Sequence, residues 1–394
     1  MSAPFHYDFD TWVPRLGSQS SKWAHLTSDL PLDFANNINL GIAEMDFVTS
    51  QEIVAAIQKR AAQGILGYTA GRDESYLQSI VSWMQRRYRV ATAPEEILHC
   101  RGANLALDAS VRAFTSPGDG VIIQPPVFQN FAGVTQRNGR KLLENHLIQD
   151  EDGNYRMNFT QLEELAALPE ATMLILCNPS NPTGNLWSQA DLQRLGEICQ
   201  AHGITIVSDD VHQEILRQGS SFHALGALFP ANDKIITIIS LSKGFNMAGL
   251  QVCHMIIPNP EQREQMQKVI GRSSPSPLEM VATIAAYTQS DSWLEQVNQY
   301  IDGNVKLYQE FMASELPQLK ALPPEATYLA WLNLQSLGLE PEQINPFLRE
   351  KAHLQLNNGA SYGAAGVGYV RINLATPRPV LQEALQRLAQ AVGG

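Results

Sequence analysis

Four apolar runs constrain this chain more than any other feature. VIIQPP (121–126), MLILCNP (173–179), ITIVSDD (204–210) and IITIIS (235–240) are short, aliphatic almost throughout, and stopped by proline, aspartate or serine. Each predicts a strand buried on both faces, because a strand with one wet face would alternate apolar and polar residues. Helical stretches lie between them; the clearest, 191–202, stops at Gly203. Strands alternating with helices predict a mostly parallel sheet covered on both sides. Ligands of such sheets bind beyond the carboxyl ends of the strands, and Asn181, Asp209 and Lys243 all fall there.

The chain has 394 residues, enough for two domains or one large one. Residues 1–45 are polar and irregular and read as an arm. Helical spacing recurs at 51–63 and 75–88, and RGANLALDASVRAF reads as a loop opening a helix over 105–114. A long helical stretch follows Pro277, and the composition changes at 316–324 (LPQLKALPP). ATYLAWLNL, FLREKAHLQLNNG, GYVRINLA and VLQEALQRLAQAV then read as a small α+β domain. The expected division is an arm at 1–45 belonging to the small domain, a large domain at 46–285 and the C-terminal small domain at 286–394. A formal net charge of −11 argues against nucleic acid or an anionic membrane as main partner, while leaving room for a local basic pocket. Cys100, Cys177, Cys199 and Cys253 are scattered, which gives no disulfide framework and no metal site. MSAPFHYDFD lacks the basic-then-apolar pattern of a signal peptide, and no apolar stretch is long enough to span a bilayer. A cytoplasmic protein is expected.

The chemistry concentrates in IITIISLSKGFNMAGLQ (235–251). A lysine at the end of a buried strand is costly unless its charge has a use or a partner. Burial lowers an amine's pKa, and a neutral amine can form a Schiff base with an aldehyde. Ser240 and Ser242 could bind a phosphate carried by such an aldehyde. Taken alone, the stretch reads equally as a strand running into a surface loop. NPSNPTG (178–184) is a rigid turn that could aim the Asn181 amide at a ligand oxygen, or serve as a turn only. Asp209 closes an apolar run and needs a cationic partner, such as a protonated ring nitrogen, with His212 three residues on to orient it. An exposed Asp-Asp loop is the other reading, more natural for Asp210 than for Asp209. Gly102, Ala103 and Asn104 precede a helix and could turn free N–H groups toward a phosphate.

Taken together and in order, GYT (67–69), GANLAL (102–107), QPPVF, NPTG (181–184), SDDVH, SLSK and YVRIN resemble the motifs of the fold-type-I pyridoxal-phosphate enzymes. The match runs nearly end to end. GSQSSKW, AEMDF with GILGYT, SDDVH, SKGFNMAGLQ and EATYLAWLN are similar to the cystathionine β-lyase or C–S lyase branch. The resemblance implies a large domain with a seven-stranded, mostly parallel sheet between helices, plus the smaller α+β domain. It implies pyridoxal 5'-phosphate carried by Lys243, with Lys243 then the base at the substrate's Cα. Asp209 would keep the pyridine nitrogen protonated, Asn181 would bond the phenolic oxygen with His212 nearby, and Phe128 would stack on the ring. Ser240, Ser242 and the N–H groups of Ala103 and Asn104 would hold the phosphate, and Arg371 the substrate carboxylate. Tyr68 would reach the phosphate from a neighbouring subunit, so a homodimer with shared sites is implied.

The chain departs from the branch in places. Phe128 stands where a tyrosine is usual, Ala24 where an aspartate follows the SKW tryptophan, and Glu44 replaces the aspartate of ADMDF. Gln251 occupies the position where the related aminotransferases carry a phosphate-binding arginine, as in the lyases. The expected activity is β-elimination from an S-substituted L-cysteine such as cystathionine, giving a thiol, pyruvate and ammonia. An aminotransferase on the same fold is the first alternative, and a non-enzymatic regulator that keeps the cofactor is the second.

Overall fold

A computed structural model describes residues 5–15, 17–24, 38–151 and 153–393. The side chains of Trp23 and Ala24 lie outside the described set, as do parts of the arm expected at 1–45. The large sheet has seven strands: β1 (Ile97–Arg101), β2 (Gly120–Ile123), β3 (Lys141–Glu144), β4 (Ala171–Cys177), β5 (Thr205–Asp209), β6 (Ile235–Ser240) and β7 (Val252–Ile256). Their spatial order is β1-β7-β6-β5-β4-β2-β3. The run from β6 to β3 is parallel, and β7 is antiparallel to both its neighbours. The four apolar runs are β2, β4, β5 and β6, side by side as β6-β5-β4-β2.

The reason for their near-continuous hydrophobicity is visible along β4. Met173, Ile175 and Cys177 face a core built with Ala106, Leu107 and Val111 of the helix Ala103–Phe114. Leu174 and Leu176, on the alternate face, pack with Leu192, Leu195 and Ile198 of the helix Gln189–Ala201. Side chains alternate across a strand, so two dry faces require apolar residues at every position. The covering helices begin where a side chain can satisfy an end N–H. Ser188 accepts from Asp191, Asp73 from Tyr76, and Ser276 from Glu279 in a capping box.

The edge strand β1 and its antiparallel neighbour β7 were not evident in the sequence. Each carries a buried histidine at its centre, His99 and His254, directly opposite one another in register. Tyr76 Oη lies 2.7 Å from His254 Nε2, which lets this polar residue sit inside the sheet. The helical stretch after Pro277 is two helices, Pro277–Gln289 and Asp291–Glu315. They break at Ser290, whose hydroxyl donates to the Ala285 carbonyl and lies 2.7 Å from that of Ser50.

The smaller sheet joins Ala321–Leu322, Leu329–Asn333, Tyr369–Asn373 and Asn357–Asn358 in that spatial order, antiparallel throughout. The N-terminal segment is clamped between the two sheets. Ile38–Asn39 pairs with Leu354–Gln355. The Asn373 side chain donates to the carbonyls of Ile42 and Glu44, and that of Asn246 to those of Met45 and Phe47. Among the described residues no helix is long and apolar enough to cross a membrane.

Gly184 is where the turn after β4 meets the small sheet. Its φ is +73°, and its carbonyl accepts from the Ala326 N–H at 2.9 Å. A Cβ there would lie 2.9 Å from Pro324 Cα and 3.2 Å from the Leu329 carbonyl oxygen. Gly184→Ala therefore combines left-handed strain with overpacking against backbone, for a loss of about 2–4 kcal/mol. Denaturant unfolding should show that loss as a lower midpoint. An unchanged midpoint would contradict the close approach.

Candidate active site

The carboxyl ends of β4, β5 and β6, the start of the helix Ala103–Phe114 and the strand Tyr369–Asn373 enclose a cavity of about 550 Å³. Ala103, Asn104, Phe128, Asn181, Asp209, His212, Ser240, Ser242, Lys243 and Arg371 all line it. Tyr68 does not. It is fully exposed on a surface loop, which is pinned by the Thr69 hydroxyl donating to the Pro275 carbonyl.

Lys243 sits in a single helical turn, Leu241–Gly244, directly after β6. Phe245 anchors that turn against Trp83, Tyr287 and Trp293. The lysine ammonium donates to the Ala43 carbonyl at 2.7 Å. Burial, and then the positive charge of Arg371, lower its pKa from 10.5 to about 8. The amine is therefore far easier to deprotonate than a surface lysine. Ser240 accepts from the Ser242 N–H, and its hydroxyl donates to the Val252 carbonyl at 2.6 Å while lying 2.8 Å from the Ser242 hydroxyl. Ser240 thus holds Ser242 in place.

Asp209 ends β5 and is buried, with one long contact from the Val211 N–H at 3.4 Å. Burial pushes its carboxyl up to about 7, against the weaker pull of Lys243. Asp210, expected at the surface, is buried as well. The sheet pairing continues through it, since its N–H donates to the Ile238 carbonyl at 2.9 Å, and its carboxylate accepts from the Ser208 hydroxyl. His212 is held neutral by burial and by Lys243 and Arg371, and its Nδ1 has no partner among the described residues.

Arg371 is buried in the small sheet, 5.3 Å above the Tyr362 ring. Nη1 donates to Asn181 Oδ1 at 2.8 Å and Nη2 to the Gly41 carbonyl at 2.7 Å, leaving Nε without a partner among the described residues. Asn181 spends its oxygen on Arg371, so its amide N–H groups remain for a ligand. Phe128 packs edge-on against Phe131. The helix Ala103–Phe114 has no side-chain cap, and its first residues line the cavity behind Gly102, which has φ +86°.

Several lining residues escaped the sequence reading. Asn357 sits opposite Arg371 in register, and its short strand gave no periodic signal. The Ala43 carbonyl at the cavity, like the Gly41 carbonyl that holds Arg371, is a main-chain group with no mark in the sequence. Arg101 also lines the cavity, and its place directly before Gly102 could have flagged it. Glu44, the departure within AEMDF, pairs with Arg15, while Asp46 holds Arg15 and the buried Lys22.

The depressed pKa of Lys243 has a cost in stability. Between about pH 8 and 10.5 the unfolded chain binds the lysine proton and the folded one does not. Stability therefore rises with pH across that window, and the penalty is fully present below it. In ligand-free protein, Lys243→Met should raise stability at pH 7 by on the order of 1–2 kcal/mol. The gap should close by about pH 10.5, the lysine's ordinary value. Thermal unfolding of both proteins across this range tests it, and a gap independent of pH would refute the cause.

Known proteins match the chain almost end to end. Residues 35–388 match the sequence model for aminotransferase class I and II. Cystathionine beta-lyase PatB of Bacillus subtilis is 36% identical over 391 residues, spanning 98% of this chain and 100% of its own. Cystalysin from Treponema denticola, whose structure contains a pyridoxal 5'-phosphate cofactor, has a TM-score of 0.95 at 31% identity, over 99% of both chains. The pyridoxal-phosphate-bound C–S lyase from Staphylococcus hominis gives 0.92 at 30% identity, over 98% of this chain and 99% of its own. The chain belongs to the class I and II aminotransferase family of fold-type-I pyridoxal-phosphate enzymes, in its cystathionine β-lyase and C–S lyase branch.

Proposed function

We propose that the protein is a pyridoxal 5'-phosphate-dependent C–S β-lyase that splits an S-substituted L-cysteine, cystathionine or a near relative, into a thiol, pyruvate and ammonia. The observation that carries this reading is the pairing of a half-buried, easily deprotonated Lys243 with a buried, nearly partnerless Asp209 in one cavity. The cavity fits the cofactor by its unmet needs. Among the described residues Asp209 makes no ion pair, Arg371 Nε lacks an acceptor, and the helix after Gly102 has no side-chain cap. When bound, the cofactor supplies an electron sink for the bond-breaking at Cα.

The residues divide the work. Lys243 carries the cofactor and then moves the Cα proton. Asp209 holds a proton on the ring nitrogen, and the neutral His212 stands beside it. The Asn181 amide donates to the ring's phenolic oxygen, and Phe128 offers an aromatic face. The Ser242 hydroxyl, backed by Ser240 and the N–H groups of Ala103 and Asn104, receives the phosphate. Arg371 takes the substrate carboxylate through its open Nε edge. A thiolate leaves Cβ readily, because its conjugate thiol has a pKa of about 8.5.

With an S-alkyl-L-cysteine or L-cystathionine and no keto acid, the purified enzyme should release thiol and pyruvate together, far faster than it forms pyruvate from L-serine. Turnover that needs an added keto acid and frees no thiol would replace this reading with an aminotransferase.

We further assign an arm at 1–45, a large domain at 46–285 and a small one at 286–394, a cytoplasmic setting, and a homodimer. The support for the setting is four separate buried thiols. The support for the dimer is a run of exposed apolar residues, Ile65, Leu66 and Tyr68, together with Leu105 at the cavity's rim. In that dimer Tyr68 serves the partner's phosphate. Mixing Tyr68→Phe and Lys243→Ala subunits should then restore about a quarter of full activity, from one intact site in each mixed dimer. No recovery on mixing, with subunit exchange verified, would end the shared-site assignment.

A further inference from the structure

We propose that Arg101 supplies the positive charge for the cofactor's phosphate. The inference rests on the phosphate lying at the start of the helix Ala103–Phe114, as assigned above. Arg101 ends β1, directly before the uncapped Gly102, and stands opposite Val252 in register. The Val252 carbonyl is the group that receives the Ser240 hydroxyl. Arg101, the helix-end N–H groups and the Ser240–Ser242 pair therefore meet at one corner of the cavity.

That corner is otherwise uncharged. The lining cations are Arg101, Lys243 and Arg371, and the one lining carboxylate is Asp209. Lys243 is turned to the Ala43 carbonyl, and Arg371 to Asn181 and the Gly41 carbonyl. Gln251, whose Cβ lies 3.9 Å from where a Gly102 Cβ would be, is neutral. Hydroxyls and main-chain N–H groups orient a phosphate but leave most of its charge unbalanced. Arg101 is exposed, and no hydrogen bond or ion pair engages it among the described residues. A guanidinium forks onto two phosphate oxygens at once, and an unengaged one gives up no existing bond to do so.

The test compares equilibrium binding of pyridoxal 5'-phosphate with that of pyridoxal, which lacks the phosphate, for wild type, Arg101→Ala, Arg101→Lys and Ser242→Ala. Arg101→Ala should weaken pyridoxal-phosphate binding by about 10- to 100-fold. It should leave pyridoxal binding and ligand-free melting unchanged. Arg101→Lys should recover part of the loss, and binding to Arg101→Ala should depend less on ionic strength. If Ser242→Ala selectively weakens the phosphorylated ligand and Arg101→Ala does not, the role of Arg101 is overturned while the phosphate's position survives. If neither variant discriminates between the two ligands, the phosphate's position itself is wrong. Equal losses for both ligands in Arg101→Ala would also overturn the proposal.

Discussion

The buried guanidinium of Arg371 is the interaction on which the rest of this structure turns. It joins three separate stretches: its own strand in the small sheet, Asn181 in the turn after β4, and the Gly41 carbonyl of the N-terminal segment. A desolvated guanidinium that lost either partner would be left with an unmet buried N–H donor, so the three stretches are held in one relative arrangement. Its field also reaches the chemistry. It lowers the pKa of Lys243 and opposes protonation of His212. Burial is the larger cause of both shifts, and Arg371 adds to it, so the group that fixes the geometry also tunes the acidity.

Several other buried charges are poor investments in stability. Asp209 has only the long contact from the Val211 N–H among the described residues. Lys22, with no solvent exposure, is balanced by Asp46, yet burial still drives its pKa down. Such groups persist because they position things. Asp46 binds both Arg15 and Lys22, and Lys22 in turn offers its carbonyl to Asn39. The result is a segment whose Ala43 carbonyl arrives at the lysine amine.

Much of this was legible in the sequence, for identifiable reasons. Two-sided burial writes itself into β2, β4, β5 and β6 as unbroken apolar runs, and the strand-end rule then locates Asn181, Asp209 and Lys243. The edge strand β1 and its neighbour β7 were illegible because buried His99 and His254 interrupt their hydrophobic pattern, and what makes those residues tolerable is a tyrosine hydroxyl and register, both tertiary. Asp210 looked exposed because the pairing that buries it comes from a strand still to be formed, at Ile238. Main-chain groups such as the Ala43 carbonyl leave no trace in residue identity. Asn357 became visible only once the sheets brought it to the cavity, whereas the one sequence mark of Arg101 was its place before Gly102.

The clamped N-terminal segment also bears on how such a chain is made. Gly41 meets Arg371 across 330 residues, and Ile42 meets Asn373 across 331. During synthesis this segment leaves the ribosome some 330 residues before Arg371 and Asn373. The seven-stranded sheet, whose strands lie within residues 97–256, can form from a nascent chain that still lacks them. Lys243 then waits at the end of a completed strand until Tyr369–Asn373 closes that long loop. A chain cut short before Tyr369 retains every residue of the large sheet but has no Arg371 to close over it.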